Sequence, residues 1–234
     1  MTPDTIGLPD WLVNVSITFG GMAGAMHGVR KRMDVFGTLV VGVAAALGAG
    51  TIRDLSLGRV PAFLYTPLVG YAVLGGIAGY FLARAMRYIN RTIFLLDTLL
   101  IGVWVVLGCQ LGLAFGLAPI SAVLMGVISA VGGGLVRDVL CRDIPTAFSP
   151  IQFETAGAVL AAVVYVIADG FLTRSLAEAV AIISATGIRV LALRYRWRSM
   201  SAVELSERLR GRQAQYDPAT GTLTVMRVAP RRRN

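Results

Sequence analysis

The chain has 234 residues, 56% of them hydrophobic and 15% charged, with a mean hydropathy of +0.70 and a formal net charge of +9. That balance is too apolar and too sparsely charged for an average soluble domain, so it excludes the soluble enzyme and nucleic-acid-binding classes and points to an integral membrane protein. One histidine and two cysteines form no metal-site pattern, and Cys109 and Cys141 fall at different depths, which argues against a disulfide.

Trp11–Val29, Val35–Ile52 and Val60–Ala83 carry no formal charge. Each approaches or exceeds the ~20 residues that cross a hydrocarbon core. The uncharged run Thr98–Val136 is too long for one crossing and is divided by the turn signal "GLAP" at 116–119. A further apolar segment covers 152–170, with Glu154 near its start and Asp169 and Gly170 at its close. The last, 175–193, is weaker because it holds Glu178 and Arg189. No basic residue precedes the first segment and no small-residue cleavage pattern follows it, so it reads as retained rather than as a signal peptide.

Charge placement decides whether the seventh segment spans, because cytoplasmic loops concentrate Lys and Arg. With seven spans and the N-terminus outside, the inside collects Arg30, Lys31, Arg32, Arg84, Arg87, Arg91, Arg137, Arg142 and every arginine from Arg189 onward. Only Arg53, Arg59 and Arg174 fall outside. The positive charge is thus orientation information plus a basic tail, Ser199–Asn234, and calls for no nucleic-acid partner. That tail reads as polar, with a short amphipathic stretch at 202–212 and a mobile end.

"GAGTIRDLSLGRVPAF" at 48–63 reappears as "GGGLVRDVLCRDIPTAF" at 132–148. At a constant offset of 84, Gly24 aligns with Gly108, Gly28 with Gly112, Gly42 with Gly126, Gly48 with Gly132, Gly50 with Gly134, Arg53 with Arg137, Asp54 with Asp138 and Pro61 with Pro145. After one inserted residue Phe63 aligns with Phe148. Three crossings per copy is an odd number, so the second copy is inverted relative to the first. The fold class expected is all-α, polytopic, with seven transmembrane helices: two inverted three-helix repeats plus one additional helix. The divisions are 1–10 outside, 11–88, 89–172, 173–198 for the seventh helix, and 199–234 as a cytoplasmic tail.

Glycines inside spans two and five either let another helix approach or weaken the helix into a kink. The spacing of Gly20, Gly24 and Gly28, of Gly108, Gly112 and Gly116, and of Gly75, Gly76 and Gly79 favours helix packing. Ionisable groups are costly in hydrocarbon and face protein or water, so Arg53, Asp54, Arg137 and Asp138 read either as lining a wet path or as interfacial anchors. Neighbouring helical residues do not face each other, so each Arg and Asp is expected to pair with other elements. Asn14, Ser16, Thr18, Gln110 and Ser129 read as bonding to neighbouring helices, and His27, beside "VRKR", as interfacial rather than catalytic.

These paired motifs, each followed by a proline and a phenylalanine within inverted three-span repeats plus a seventh helix, resemble the trimeric intracellular cation channel family in its bacterial and archaeal branch. A related bacterial domain family carries a glycine-transporter label. The resemblance covers about residues 8–198. It implies a homotrimer in the plasma membrane, one hourglass pore per subunit, and conduction of K⁺ and other monovalent cations, without a cofactor and within membrane lipid. It also implies that helices two and five are broken at their glycines and line the pore with Gly48, Gly50, Arg53, Asp54, Gly132, Gly133, Gly134, Arg137 and Asp138. The lysine-centred motif of the animal members, associated with phosphoinositide, has no counterpart in "GGGLVRD".

An arginine facing a cation path raises its barrier unless a carboxylate offsets it. Asp54 and Asp138 are adjacent candidates, and Asp97 and Glu154 are further charge partners. Arg53 and Arg137 are expected to be held in carboxylate or carbonyl contacts. The chief alternative is a secondary transporter of a small solute such as an amino acid, since inverted repeats with interrupted helices build those too. A scaffold acting through its basic tail is a third reading.

Overall fold

A computed structural model describes residues 9–85, 90–148, 154–195, 213–217 and 222–226, with side chains except at 84–99, 148, 154, 193 and the last two segments. Among these, the unit Met1–Trp197 holds seven α-helices. They are α1 (Asp10–Arg30), α2 (Val35–Ser56), α3 (Leu68–Ala85), α4 (Asn90–Ala114), α5 (Pro119–Leu140), α6 (Glu154–Asp169) and α7 (Arg174–Arg194). Short 3₁₀ turns occupy Ala62–Leu64 and Thr146–Phe148. The arrangement is two inverted three-helix repeats followed by one added helix.

Local chemistry sets the boundaries. The Asp34 carboxylate accepts the Gly37 amide at 2.8 Å and so caps α2. Pro119 sits in the first turn of α5, where its missing N–H costs nothing. The apolar run from Val60 does not begin a helix, because Pro61 and Pro67 confine it to a 3₁₀ turn; α3 starts at Leu68. α2 and α5 run unbroken through their glycines, so the expected interruption at Gly48–Gly50 and Gly132–Gly134 is absent. α2, α5 and α7 are each long and apolar enough to cross a membrane, and Phe36, Leu74, Phe81, Ile120 and Ile183 present exposed apolar surface.

The repeat is written into the backbone. The described residues with left-handed φ are Arg32 (59°) with Gly116 (73°), and Gly58 (67°) with Arg142 (56°), both pairs separated by the same 84-residue offset. Each terminates a helix by the same bond: the next residue's amide reaches back to a carbonyl at 3.2 Å (Met33 to Gly28), 3.0 Å (Leu117 to Gly112), 2.8 Å (Arg59 to Asp54) and 2.8 Å (Asp143 to Asp138). In each pair one member is an arginine held where glycine is at ease, at a cost of roughly 1–2 kcal/mol.

Glycine permits the crossings. A Cβ on Gly21, Gly75 or Gly79 would collide with the carbonyl oxygens of Ala72, Thr18 or Met22, so α1 and α3 meet backbone to backbone. A Cβ on Gly24 would lie 2.7 Å from Ala45, and one on Gly108 2.5 Å from the Met125 carbonyl, which repeats the tight contact in α1–α2 and α4–α5. The halves differ at their third helix: α3 lies chiefly on α1, whereas α6 lies on α7 and α5. The buried stripe Ala177, Ala181, Ala185 brings α7 against the core of the second half. Trp104 packs on the cores of both halves.

The basic tail adds an antiparallel hairpin, β1 (Gln213–Asp217) and β2 (Thr222–Met226), in register Gln213 opposite Met226. The reading of the tail as polar with an amphipathic stretch did not include these strands; alternating runs on either side of "PATG" were the available signal. The expected amphipathic stretch at 202–212 and the chain end lie outside the described residues.

The α1–α3 crossing is the most demanding of these contacts. Gly75→Ala is expected to destabilise the purified protein by about 1–3 kcal/mol through overpacking, whereas Gly70→Ala, with open space at its Cβ, leaves it unchanged. Thermal melts in detergent that fail to separate the two variants would refute the backbone-contact reading.

Candidate functional site

Each "RD" motif forms a clamp around its aspartate. Arg53 Nε and Nη2 donate to Asp54 Oδ1 at 3.0 and 2.9 Å, while Asp54 Oδ2 accepts the Ala62 amide at 2.9 Å. In the second copy Arg137 Nε donates to Asp138 Oδ1 at 2.7 Å, and Asp138 Oδ2 accepts the Thr146 amide at 2.8 Å and its hydroxyl at 3.0 Å. One carboxylate thus ties a helix end to the 3₁₀ turn eight residues on, in both halves. The expectation that adjacent Arg and Asp avoid each other is overturned. With one carboxylate oxygen already committed to the turn, the long arginine stem folds over the helix end to reach the other. Each guanidinium lies beside its own helix's glycine: a Cβ on Gly50 would meet Nη2 of Arg53 at 3.8 Å, and one on Gly134 Nη2 of Arg137 at 3.7 Å, both ordinary contacts. The register also places the inserted residue, since both aspartates reach eight positions on: Ala62 matches Thr146, and the insertion falls after the turn begins.

The clamps differ in surroundings. Arg53 and Asp54 have side chains 7% and 2% exposed, and Arg53 Nη1 has no hydrogen-bond partner among the described residues. Arg53 is therefore buried rather than snorkelled. Arg137 is 20% exposed over an Asp138 at 1%. It borders a cavity of about 410 Å³ between α1, α2, α4 and α5, reached also by Arg189 of α7. Ser16, Gly20, Gly24, His27 and Arg30 line it from α1; Ala45, Ala46 and Ala49 from α2; Trp104 from α4; Ser129, Gly133 and Gly134 from α5.

Of the nine residues that sequence and resemblance singled out, Gly133, Gly134 and Arg137 border this cavity and the other six do not. Gly48 and Gly132 instead seat α2 against α5, with Cβ positions 3.0 Å from Val136 and 3.1 Å from Ala49. The side chains of Asp97 and Glu154 lie outside the described residues. Arg30 and Arg189, which the sequence offers as orientation charges, and Trp104, which carries no motif, each border the cavity as well. Among the isolated polar residues, Gln110 bonds across to Glu178 of α7 at 2.6 Å, but Ser16 and Thr18 bond to their own helix and buried Ser129 Oγ has no partner among the described residues.

Two contacts close the ends of the repeat interface. Beyond α5, Asp143 accepts from His27 Nε2 at 2.8 Å and from the Lys31 ammonium. At the equivalent positions beyond α2, Arg59 lies over the Phe115 ring, 5.4 Å from its centroid. Hydrogen bonds from Lys31, then His27, hold the Asp143 carboxyl below its ordinary range. Cys141 is free and buried; burial, then the neighbouring Asp143, raise its thiol. Cys109 is also free.

Removing a carboxylate from a buried ion pair costs about 3–5 kcal/mol, because the partner charge is stranded. Asp54→Ala is therefore expected to destabilise the protein more than Asp138→Ala, since Arg137 keeps more access to water than Arg53. Equal losses in thermal melts would show that exposure does not set the cost. Because Asp143 has a depressed folded pKa, its contribution is complete above the ordinary carboxylate value of about 3.9. It is lost as pH falls through the folded value, and Asp143→Asn should remove that part of the acid sensitivity.

A family model described as Glycine transporter matches the chain twice, over residues 10–85 and 94–169. A UPF0126 membrane protein of Deinococcus radiodurans is 35% identical over 170 residues, covering 69% of this chain and 77% of the relative. Among solved structures, a TRIC cation channel chain superposes with a TM-score of 0.76 at 30% identity, covering 82% of this chain and 96% of that one. The TRIC trimeric intracellular cation channel orthologue from Rhodobacter sphaeroides gives 0.74 at 29%, covering 80% and 97%. One family model matched once per three-helix half, and a fold shared along nearly the whole of those channel chains, show that the chain belongs to the glycine-transporter family of UPF0126 membrane proteins and to the bacterial branch of the TRIC channel family.

Proposed function

We propose that the chain is a potassium-conducting monovalent cation channel, assembled as a homotrimer in the bacterial plasma membrane with one path per subunit. The likeness to TRIC cation channel chains over 82% of the sequence carries this reading. The cavity at the repeat interface supports it, because inverted-repeat transport proteins place their path there. The arginine distribution favours an N-terminus outside and a cytoplasmic tail.

In this reading the arrangement is a closed path. Arg30, Arg137 and Arg189 face the same cavity, and two unit charges 4 Å apart at an effective dielectric near 20 repel by about 4 kcal/mol. A cation passes when that charge is displaced or compensated. Arg137 is the gate residue because it borders the cavity while held by Asp138, so its displacement opens the path without unfolding a helix. The Asp54 clamp, whose residues are not in the cavity lining, holds the other helix end.

A carrier for a small amino acid is the second reading, favoured by the family description and by cavity arginines suited to a carboxylate. Purified full-length protein in a planar bilayer separates the two. Unitary currents reversing near the potassium equilibrium potential are expected; saturable solute uptake without unitary events would replace the channel by the carrier. Arg137→Gln is expected to raise the current at fixed voltage several-fold, and an unchanged current would remove Arg137 from the gate. Deleting residues 199–234 should leave conduction intact, whereas its loss would favour a scaffold role for the tail.

A further inference from the structure

The two contacts that close the repeat interface occupy equivalent positions with different chemistry. Arg59 and Asp143 are 84 residues apart, as are Phe115 and Lys31. Each pair therefore joins the end of the first helix of one repeat to the loop after the second helix of the other. On one face the bond is a guanidinium over a ring, 5.4 Å from its centroid. That contact holds no group that titrates near neutrality. On the opposite face it is a carboxylate shared by Lys31 and His27, the only histidine in the chain. His27 also lines the cavity.

We propose that these contacts are latches between the two repeats, and that the His27–Lys31–Asp143 latch is a one-sided proton sensor that lowers cation conductance when its own face is acidified. The proposal rests on the cavity being the cation path.

The physics follows from where the proton goes. Imidazole is the side chain whose unperturbed charge changes between about pH 5 and 8. Asp143 stays ionised across that interval, since its carboxyl lies below the ordinary range. Neutral His27 can donate one hydrogen bond from Nε2; protonated His27 makes the same contact an ion pair, which holds α1 more firmly to the loop beyond α5. The added charge enters a cavity whose described charged groups are already basic: Arg30 on its own helix, Arg137 from α5 and Arg189 from α7. Lys31 follows α1 on the same latch, α2 presents Ala45, Ala46 and Ala49, and α4 presents Leu100, Ile101 and Trp104. Both effects oppose a cation. With His27 23% and Asp143 29% exposed, protons have access from solution.

Full-length protein in an asymmetric planar bilayer tests this at fixed potassium. Lowering pH from about 7.5 to about 5.5 on the α1 C-terminal face should reduce current at least about threefold, and the same change on the other face should not. In His27→Gln the ratio of currents at the two pH values should be flat, whatever its absolute conductance. A pH effect of equal size from both faces, one retained in His27→Gln, or none in the wild-type current overturns the sensor. Thermal melts provide a readout independent of conduction: the melting-temperature difference between wild type and His27→Gln should widen at pH 5.5 relative to 7.5. A constant difference overturns the latch even if currents are seen. A widening difference in a protein that never conducts upholds the latch and rejects the channel reading instead.

Discussion

A carboxylate buried at a helix end must have its acceptor positions filled, and the rest of this structure is arranged around two such groups. Asp54 and Asp138 are nearly inaccessible, so each would carry a large desolvation cost if left alone. Each offsets that cost with the arginine before it and the amide eight residues later. This choice of partners fixes several features at once. The chain must reverse after the helix, which requires the left-handed residue at Gly58 or Arg142; it must approach again within eight residues, which Pro61 and the 3₁₀ turn accomplish. The arginine is thereby drawn along its own helix end, past Gly50 or Gly134. A motif of Arg-Asp and proline is therefore one device, with the aspartate at its centre.

The repeat was legible in the sequence because its conserved parts do backbone work. Glycines that permit the α1–α2 and α4–α5 crossings and a proline before a 3₁₀ turn cannot be exchanged freely, so their spacing survives where apolar side chains have diverged; the left-handed caps carry no such mark, since each pairs a glycine with an arginine. Helix limits were legible to within a few residues except at the starts of α3 and α4: uncharged Val60–Pro67 looks like hydrocarbon-spanning chain until its two prolines are weighed, and α4 begins at Asn90, ahead of the uncharged run from Thr98, because a helix continues through charged residues outside the hydrocarbon. The Arg-Asp pairing was misread because the rule that adjacent helical residues point apart concerns helix interiors; these residues lie in the last turn, with a carboxylate already engaged by the turn beyond. Unbroken α2 and α5 have a related cause. Gly48, Gly132 and Gly133 are taken up by contacts with the facing helix, and a tightly packed helix has no reason to open at them.

The cavity was less legible, because its lining is set by which face of each helix turns inward. Arg30 and Arg189 serve as orientation charges in any linear reading, and nothing in their spacing reveals that they border the same cavity as Arg137. Ser129 gave a partial signal: it is the lone hydroxyl in the middle of α5, buried and unpartnered among the described residues. Trp104 could have been noticed as the large aromatic in the span that must sit between two halves, since only such a residue packs on both cores.

What distinguishes the halves is α7. In the first repeat, α3 closes on α1 through glycines whose missing side chains let carbonyl oxygens approach. In the second, α7 places its alanine stripe against α4 and α6, and brings Arg189 to the cavity. An inverted repeat with no addition would surround Arg53 and Arg137 alike, so that both would be equally buried or equally wet. Here Arg53 is sealed within its clamp while Arg137 borders a cavity that also receives Arg30 and Arg189. The three arginines that border the cavity thus include one clamp's guanidinium and not the other's. A symmetric scaffold thus acquires one end sealed from the cavity and one end that borders it, and the proposed gate rests on that asymmetry.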